Sequence, residues 1–173
     1  MISDISNKLS PYQFGFKCSS STSTNLLVAY DYLSKSIDKG KEMDVALFDL
    51  SKAFDKVDHA KLIRKLIELN VGNDLCKAIQ NFLYKRYQYV KIFNCLSSMQ
   101  NVTSGVPQGT ILGPLLFSIY LNDIWKYQYN GLLLAFADDL KLIGPYGNCF
   151  QTDINNITNW VKNANIELNC DKC

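Results

Sequence analysis

The sequence predicts an α+β domain, in which helices pack on an antiparallel sheet. Three observations predict this class. Helical and strand-like segments alternate twice along the chain, two apolar runs with the character of strands each end on carboxylates, and no repeat, low-complexity tract or linker interrupts the order. With 173 residues, of which 47% are hydrophobic, the chain can bury one sizeable core, so we expect a single domain.

The first half of the chain predicts three helices and a buried strand. A Ser/Thr-rich stretch at residues 18–24 can cap a helix in which apolar residues recur at helical spacing until Gly40 ends the pattern. Residues 44–50 form an apolar run bounded by polar residues, which indicates a buried strand. Two amphipathic helices follow at residues 59–69 and 74–84.

The second half predicts two hairpins and two helices. Residues 87–93 alternate polar and apolar side chains and are rich in aromatics, so they predict a strand that pairs with a weaker strand at residues 98–103. The remaining elements are a mostly apolar helix, the two arms of a second hairpin and an amphipathic helix, at residues 110–124, 131–136, 140–143 and 153–164.

Carboxylates stand at the ends of two apolar runs. Asp49 shares a strand face with Val45 and Leu47, and Asp138-Asp139 lies between the apolar arms of the second hairpin. An isolated Asp is ordinarily a helix cap or a surface residue, and an Asp pair ordinarily marks a polar turn. Ionised carboxylates among apolar neighbours are costly without a cation, so on neighbouring strands these three would suit a divalent metal ion.

A turn-rich segment, Ser104-Gly105-Val106-Pro107-Gln108-Gly109, lies between these carboxylates and opens an apolar helix. The combination and its order resemble the palm of reverse transcriptases, closest to those of non-long-terminal-repeat retrotransposons. The resemblance implies a polymerase palm with partial fingers and without a thumb. It also implies RNA-directed DNA synthesis, with an RNA template, a DNA primer and dNTPs as partners.

The metal-binding residues follow from the same resemblance, through Phe48-Asp49 and Phe136-Ala137-Asp138-Asp139. By this likeness Asp49 and Asp138 ligate two Mg²⁺ ions, with Mn²⁺ as an alternative. The Leu50 carbonyl contributes, and Asp139 is an auxiliary third carboxylate. Such ions lower the pKa of the primer 3′-hydroxyl and neutralise the departing pyrophosphate.

Four further residues are implied to bind the nucleotide. Phe54, five residues after Asp49, would pack under the sugar and exclude a 2′-hydroxyl, and a core position is a compatible alternative. Gln108 would contact the incoming dNTP or the template, and Gly109 would let the backbone approach closely. Lys172 would lie near the triphosphate and protonate pyrophosphate, although a terminal Lys is ordinarily a solvated charge.

Basic residues interleaved with aromatics predict contacts to the template and primer. Lys85, Arg86 and Lys91 could bind phosphates while the tyrosines between them stack on bases, at positions 84, 87 and 89. The alternative is that these charges only keep the surface soluble. The single histidine, His59, follows Asp58 near a helix start and is expected to be structural.

The likeness covers residues 13–172 and leaves residues 1–12 as an amino-terminal extension. The resembled enzymes have a fingers segment before this region and a primer-gripping hairpin and thumb after it, and the sequence shows neither. Two hypotheses therefore stay open: a catalytic polymerase palm, and a truncated, non-catalytic remnant that acts at most as an RNA-binding or interaction module. Phe54 and Ala137 argue against an RNA-templated RNA polymerase.

Composition adds bounds on partners and location. The net charge of +2 neither requires nor excludes nucleic acid. Cys170 and Cys173 have the spacing of a zinc knuckle but lack a second cysteine pair, so we expect reduced thiols. No run approaches the roughly 20 apolar residues of a membrane span, and no secretory signal is evident. We therefore expect an intracellular protein, in the nucleus or cytoplasm and not secreted, while the oligomeric state stays open.

Overall fold

A four-stranded sheet forms the centre of the structure, a computed structural model that describes Ile5 and residues 8–173. Its strands are β1 (Met43–Ser51), β6 (Leu132–Phe136), β7 (Asp139–Pro145) and β8 (Glu167–Leu168). Their spatial order is β6–β7–β1–β8, and each pairing is antiparallel. The helices of the described part are α1 (Thr22–Ile37), α2 (His59–Glu68), α3 (Asn73–Leu83), α4 (Leu112–Leu121) and α5 (Asn148–Asn163). This arrangement confirms the α+β class.

The sheet separates two apolar layers. Phe48 and Leu50 of β1, with Leu140 and Leu142 of β7, face the larger core, to which α2, α3, α4 and α5 contribute their buried residues. On the other face, a small cluster centred on Leu134 and Ile143 packs against Phe14 and against Ala29 of α1. The part of this second face that carries Val45 and Leu47 is not covered, and these side chains are 49% and 55% exposed.

The prediction of a wholly buried strand at residues 44–50 is therefore wrong in one respect. The strand exists as β1, but its burial alternates, because only one of its faces meets the larger core. Asp49 lies on the open face together with Val45 and Leu47. A carboxylate at this position can be reached from solvent, as a site that binds a substrate requires.

Helix starts follow the capping chemistry of the sequence. Ser21 caps α1 and forms a reciprocal capping box with Thr24, which satisfies free N–H groups of the first turn. Asp58 caps α2 by accepting a hydrogen bond from the Lys61 N–H at 2.9 Å. The first three predicted helices are confirmed with shifts of a few residues at their ends.

The predicted strand at residues 87–93 is wrong as one continuous element. It consists of two short strands, β2 (Tyr87–Gln88) and β3 (Lys91–Ile92), which pair with β5 (Gln100–Asn101) and β4 (Cys95–Leu96) respectively. We call residues 87–101 the ribbon. Side chains along it are exposed, so no core enforces a continuous register there.

Three other boundaries differ from the predictions. The helix predicted at residues 110–124 is α4 followed by a 3₁₀ helix, Asn122–Lys126. Helix α5 begins at Asn148, before the predicted residue 153, because Phe150 in its polar first turn packs into the larger core. Strand β8 was not predicted, since two residues are too few to show a period.

The described part of the predicted amino-terminal extension packs onto the domain. Ile5 and Leu9 are buried in the larger core, and the Ser10 N–H donates to Asn122 Oδ1 at 2.7 Å. Residues 1–4, 6 and 7 lie outside the described residues. Of the helices that the structure describes, none combines the length and the apolar character needed to cross a bilayer.

Candidate active site

Three carboxylates meet at the open face of the sheet. Strands β6 and β7 form a tight hairpin in which Phe136 pairs with Asp139, so that Ala137 and Asp138 form the turn. In the neighbouring pair of strands, Asp139 is the register partner of Asp49. Residues directly opposite each other in antiparallel strands have Cβ atoms about 4.5–5.5 Å apart. The structure therefore brings the three predicted catalytic residues together.

The charges of these carboxylates act on one another. Burial raises the pKa of the Asp138 carboxyl above its ordinary value, and the negative charges of Asp139 and Asp49 raise it further. The ammonium of Lys172 opposes this shift, but only as a smaller effect. The charged form of Asp138 is therefore disfavoured, and a cation bound here would relieve the repulsion among the three carboxylates.

Asp49 is also held by residues that follow β8, the strand next to β1 at the edge of the sheet. Strand β8 pairs Leu168 with Leu50, which brings Asn169 and Lys172 next to Asp49. The Asn169 side-chain amide donates to Asp49 Oδ2 at 2.8 Å, and the Asn169 N–H donates to the Asp49 carbonyl at 2.8 Å. The Lys172 Nζ lies 3.7 Å from the same Oδ2. The second Asp49 oxygen carries no such contact among the described residues.

The donor set fits a hard divalent ion. Within the described residues, no group of three or more His, Cys, Asp or Glu side chains is arranged so that it could hold a metal ion. Mg²⁺, however, is ordinarily bound through one or two carboxylates together with waters and substrate phosphates rather than by a full protein cage. Carboxylate oxygens from two strands and a turn, one of them destabilised in its charged form, suit such a partial site.

A cleft adjoins the carboxylates. It has a volume of about 540 Å³ and lies between α1 and the open face of the sheet, where Asp49, Asp139 and Lys172 line it. Lys141, the register partner of Leu47, also contributes to its wall. Lys172 therefore lies beside the carboxylates, and its place near the triphosphate stays a prediction.

Phe54, Gln108 and Gly109 line a second, smaller pocket of about 230 Å³. Phe54 stacks on Phe117 with ring centroids 4.3 Å apart, and Phe16 contacts it edge-on with ring centroids 5.9 Å apart. Phe54 thus packs on the core through Phe117 while it also lines the pocket. The structure brings these three predicted nucleotide-binding residues together and assigns Lys172 to the other cleft.

The loop that carries Gln108 is anchored to the segment after β1. The Val106 N–H donates to the Phe54 carbonyl at 2.9 Å, and the Gln108 side-chain amide donates to Asp55 Oδ1 at 3.0 Å. Gly105 has φ +84°, and a Cβ there would lie 2.8 Å from the Asp55 carbonyl oxygen. The close approach that Gly105 permits is therefore to the chain itself, whereas Gly109, with φ +75°, faces open space.

The predicted nucleic-acid-binding residues occupy different environments. Arg86 donates to the carbonyls of Leu83 and Gly105, both at 2.9 Å, and burial lowers the pKa of its guanidinium. His59 shares the Gly105 carbonyl at 2.8 Å, in agreement with its expected structural role. Lys85 and Lys91 are exposed, the second of them on the ribbon. Arg86 thus braces the loop, while the two lysines are free to meet phosphates.

Two residues at this site carried no predicted role. Asn169 orients Asp49, and Gln13 holds the turn that contains Asp138. Both act across more than a hundred residues of sequence, so no local pattern signals them. Their only sequence signal is that both lie within residues 13–172, the range that the resemblance covers.

Comparisons with known proteins agree with this geometry. A solved structure of telomerase from Candida albicans, in complex with the TWJ fragment of telomeric RNA, matches with a TM-score of 0.77 at 16% identity, covering 99% of this chain and 33% of that chain. Apo telomerase from Candida tropicalis matches with a TM-score of 0.75 at 14% identity, covering 99% and 35%. At these identities the likeness concerns the fold, which is that of a polymerase palm.

The sequence comparisons then define the family. A family model described as reverse transcriptase (RNA-dependent DNA polymerase) matches residues 1–173, so the chain belongs to the reverse transcriptase family. The RNA-directed DNA polymerase from mobile element jockey of Drosophila melanogaster is 26% identical over 98% of this chain, and the match spans 20% of that relative. A Pol polyprotein from the type-1 retrotransposable element R2 of Popillia japonica is 24% identical over 88% of this chain and 27% of its own length. The chain thus spans a fifth to a quarter of such relatives, which confirms the predicted resemblance to retrotransposon enzymes.

Proposed function

We propose that this chain is the catalytic palm of a retrotransposon RNA-directed DNA polymerase, which transfers a nucleotide from a dNTP to a primer 3′-hydroxyl. The observation that carries the proposal is the convergence of Asp49, Asp138 and Asp139 at the open face of the sheet. Membership of the reverse transcriptase family supports the reaction class. The site residues and the substrates are part of the proposal.

Asp49, Asp138 and the Leu50 carbonyl would hold Mg²⁺ or Mn²⁺, with Asp139 as the third carboxylate. When bound, such ions make the primer hydroxyl a stronger nucleophile and offset the charge of the leaving pyrophosphate. Asn169 keeps one oxygen of Asp49 occupied, and the other oxygen, which has no hydrogen bond among the described residues, would bind the metal. Lys172, next to Asp49, is placed to donate a proton to the leaving pyrophosphate.

The pocket beside Phe54 would receive the sugar of the incoming nucleotide. The Phe54 ring stacks on the buried Phe117 and contacts Phe16 edge-on, and this packing would oppose its movement away from an added 2′-hydroxyl. Gln108 reaches the same pocket while its amide is bonded to Asp55, which fixes its orientation. The arrangement supports selection of deoxynucleotides by a rigid wall.

The ribbon would contact the RNA template or the DNA primer. Lys91 is exposed on it next to exposed aromatic residues, among them Phe93, which is 93% exposed. Positive charge interleaved with aromatic rings suits a flexible nucleic-acid strand, since phosphates pair with the lysines and bases stack on the rings. With such partners, we expect the proposed activity inside the cell, in the nucleus or cytoplasm.

A metal-binding experiment tests the site. Millimolar Mg²⁺ or Mn²⁺ should stabilise the 173-residue chain by about 2.7 kcal/mol when the metal concentration is one hundred times Kd. For a domain of this size, this corresponds to a rise in Tm of roughly 5–10 °C. Asp138→Asn should abolish the shift. Asp44→Asn, which removes an equal charge from the other end of β1, should retain it. A wild-type melting temperature that metal leaves unchanged would sink the proposed site.

Primer extension on poly(rA)/oligo(dT) tests the reaction itself. We expect weak extension, visible with excess protein at low salt and lost steeply as salt rises, because the chain offers few phosphate contacts. Asp138→Asn should remove it and Asp44→Asn should not. Metal binding without any extension would favour the alternative function, a non-catalytic module that binds RNA through the ribbon.

A further inference from the structure

We infer that Gln13 is a positioning residue that holds the turn carrying Asp138 in the geometry needed to bind metal. This inference rests on the proposed function, since it concerns how the same site is kept in shape. It assigns a role to a side chain that lies 124 residues before Ala137 and that, among the described residues, has no hydrogen bond to the three carboxylates.

The turn needs to be held. Ala137 has φ +57°, in the left-handed region that a residue with a Cβ disfavours. Phe136 and Asp139, on either side of the turn, pair with each other across a two-residue connection. Hairpin connections of this length ordinarily use glycine where φ is positive. Left alone, Ala137 would relax toward negative φ, and that rotation would redirect the adjacent Asp138.

Gln13 bonds to both polar groups of Ala137. Its Oε1 accepts from the Ala137 N–H at 3.1 Å, and its Nε2 donates to the Ala137 carbonyl at 3.3 Å. The same Oε1 also accepts from the Gly15 N–H at 2.8 Å. The side chain is only 1% exposed, so water does not compete for these bonds. Of the side chains, only an amide offers an acceptor and a donor at this spacing without a charge.

The backbone around Gln13 is fixed to the same strand. The Phe14 N–H donates to the Ala135 carbonyl, and the Ala135 N–H donates to the Tyr12 carbonyl, both at 2.9 Å. A Cβ on Gly15 would lie 2.3 Å from the Ala137 nitrogen, so only glycine permits this approach. The segment therefore forms a single parallel β-bridge at the edge of β6, with Gln13 opposite Ala135, and it ends against the turn.

The measurement combines amide hydrogen exchange at the turn with Mn²⁺ affinity by electron paramagnetic resonance, both on the 173-residue chain. In Gln13→Met, which keeps the length and loses both polar atoms, exchange at Ala137 should rise at least tenfold and Mn²⁺ affinity should fall at least fivefold. Gln13→Glu, which keeps the acceptor and loses the donor, should show an intermediate exchange rate and serves if the Met variant does not fold.

A rescue separates positioning from a general loss of stability. Adding Ala137→Gly to Gln13→Met should restore Mn²⁺ affinity to within twofold of wild type, because glycine adopts positive φ without strain. Asn165→Gly is the matched control: it relieves a similar φ of +55° at a residue between α5 and β8, and it should restore nothing. Equal rescue by both glycines would show that Gln13 is merely structural.

The outcomes distinguish this inference from the function it rests on. A wild-type chain that binds no Mn²⁺ would overturn the proposed metal site, whatever the Gln13 variants do. Wild-type binding that Gln13→Met leaves unchanged, with unchanged exchange at Ala137, would overturn the positioning role alone.

Discussion

Replacing Gly105 by Ala should destabilise the domain much more than the same change at Gly109. Both glycines have positive φ, +84° and +75°, so both variants meet the cost of about 1–2 kcal/mol that an L-residue has in this region. Both also gain about 0.4–1 kcal/mol, because alanine reduces the entropy of the unfolded chain. The two changes differ only in what the new methyl group meets.

At Gly105 the Cβ would lie 2.8 Å from the Asp55 carbonyl oxygen and 2.9 Å from the Asp55 Cα, whereas at Gly109 nothing lies within 4 Å. The contacts at Gly105 are to backbone, which cannot rotate away, and forcing such contacts costs typically about 1–3 kcal/mol. We therefore expect Gly109→Ala to lose about 1 kcal/mol of unfolding free energy and Gly105→Ala to lose about 2–4 kcal/mol.

Urea and thermal denaturation followed by circular dichroism measure the difference. For a domain of this size about 1 kcal/mol corresponds to roughly 2–4 °C, so Gly105→Ala should lower Tm by about 5–15 °C and Gly109→Ala by no more than about 4 °C. Equal losses in the two variants would refute the reasoning, since they would mean that the loop does not press on Asp55.

Three further outcomes are expected. Without metal, Asp138→Asn should raise Tm at neutral pH, because the raised pKa of Asp138 means that the folded state binds its proton more tightly than the unfolded state. Wild-type stability should therefore fall as pH rises from the ordinary Asp range through that pKa, and the variant should lose this slope in melts over a series of pH values that begins in the ordinary Asp range. Phe54→Ala should increase ribonucleotide incorporation in primer extension at least tenfold, which corresponds to a loss of about 1.4 kcal/mol or more in discrimination against ribonucleotides. If ribonucleotides are excluded as well as by the wild type, Phe54 is only a core residue. Asn169→Ala should weaken Mn²⁺ binding by up to about 1.5–3 kcal/mol, the range for a hydrogen bond to a charged group, and wild-type affinity in this variant would contradict the orienting role of Asn169.

Two surfaces of the domain, the open face of β1 and the ribbon, expose apolar or aromatic side chains. Val45 and Leu47 follow the open face of β1 toward Asp49 and are about half exposed, although each would ordinarily be buried. The ribbon is exposed along its whole length. Under the proposed function, both surfaces would be available to nucleic acid or nucleotide.

Local patterns were sufficient to predict the helices and the two arms of the Asp138 hairpin. Helical period and caps are properties of neighbouring residues, so α1 and α2 follow from Ser21, Asp58 and the apolar spacing. The ribbon was predicted less well, because its alternation of side chains has no core to face. A period indicates a strand only where one face of the strand is buried.

The order of residues alone was enough to identify the motifs of the family and the residue types of the site: Asp49 after an apolar run, and Asp138-Asp139 between two apolar arms. The tertiary structure decided that Asp49 pairs with Asp139, that Asn169 orients Asp49 and that Gln13 holds Ala137. These contacts join residues about ninety or more positions apart, and strand register and side-chain partners at such separations depend on how the whole sheet closes. Composition and periodicity describe one segment at a time. They could therefore predict which residues form the site, but not the long-range contacts that orient those residues.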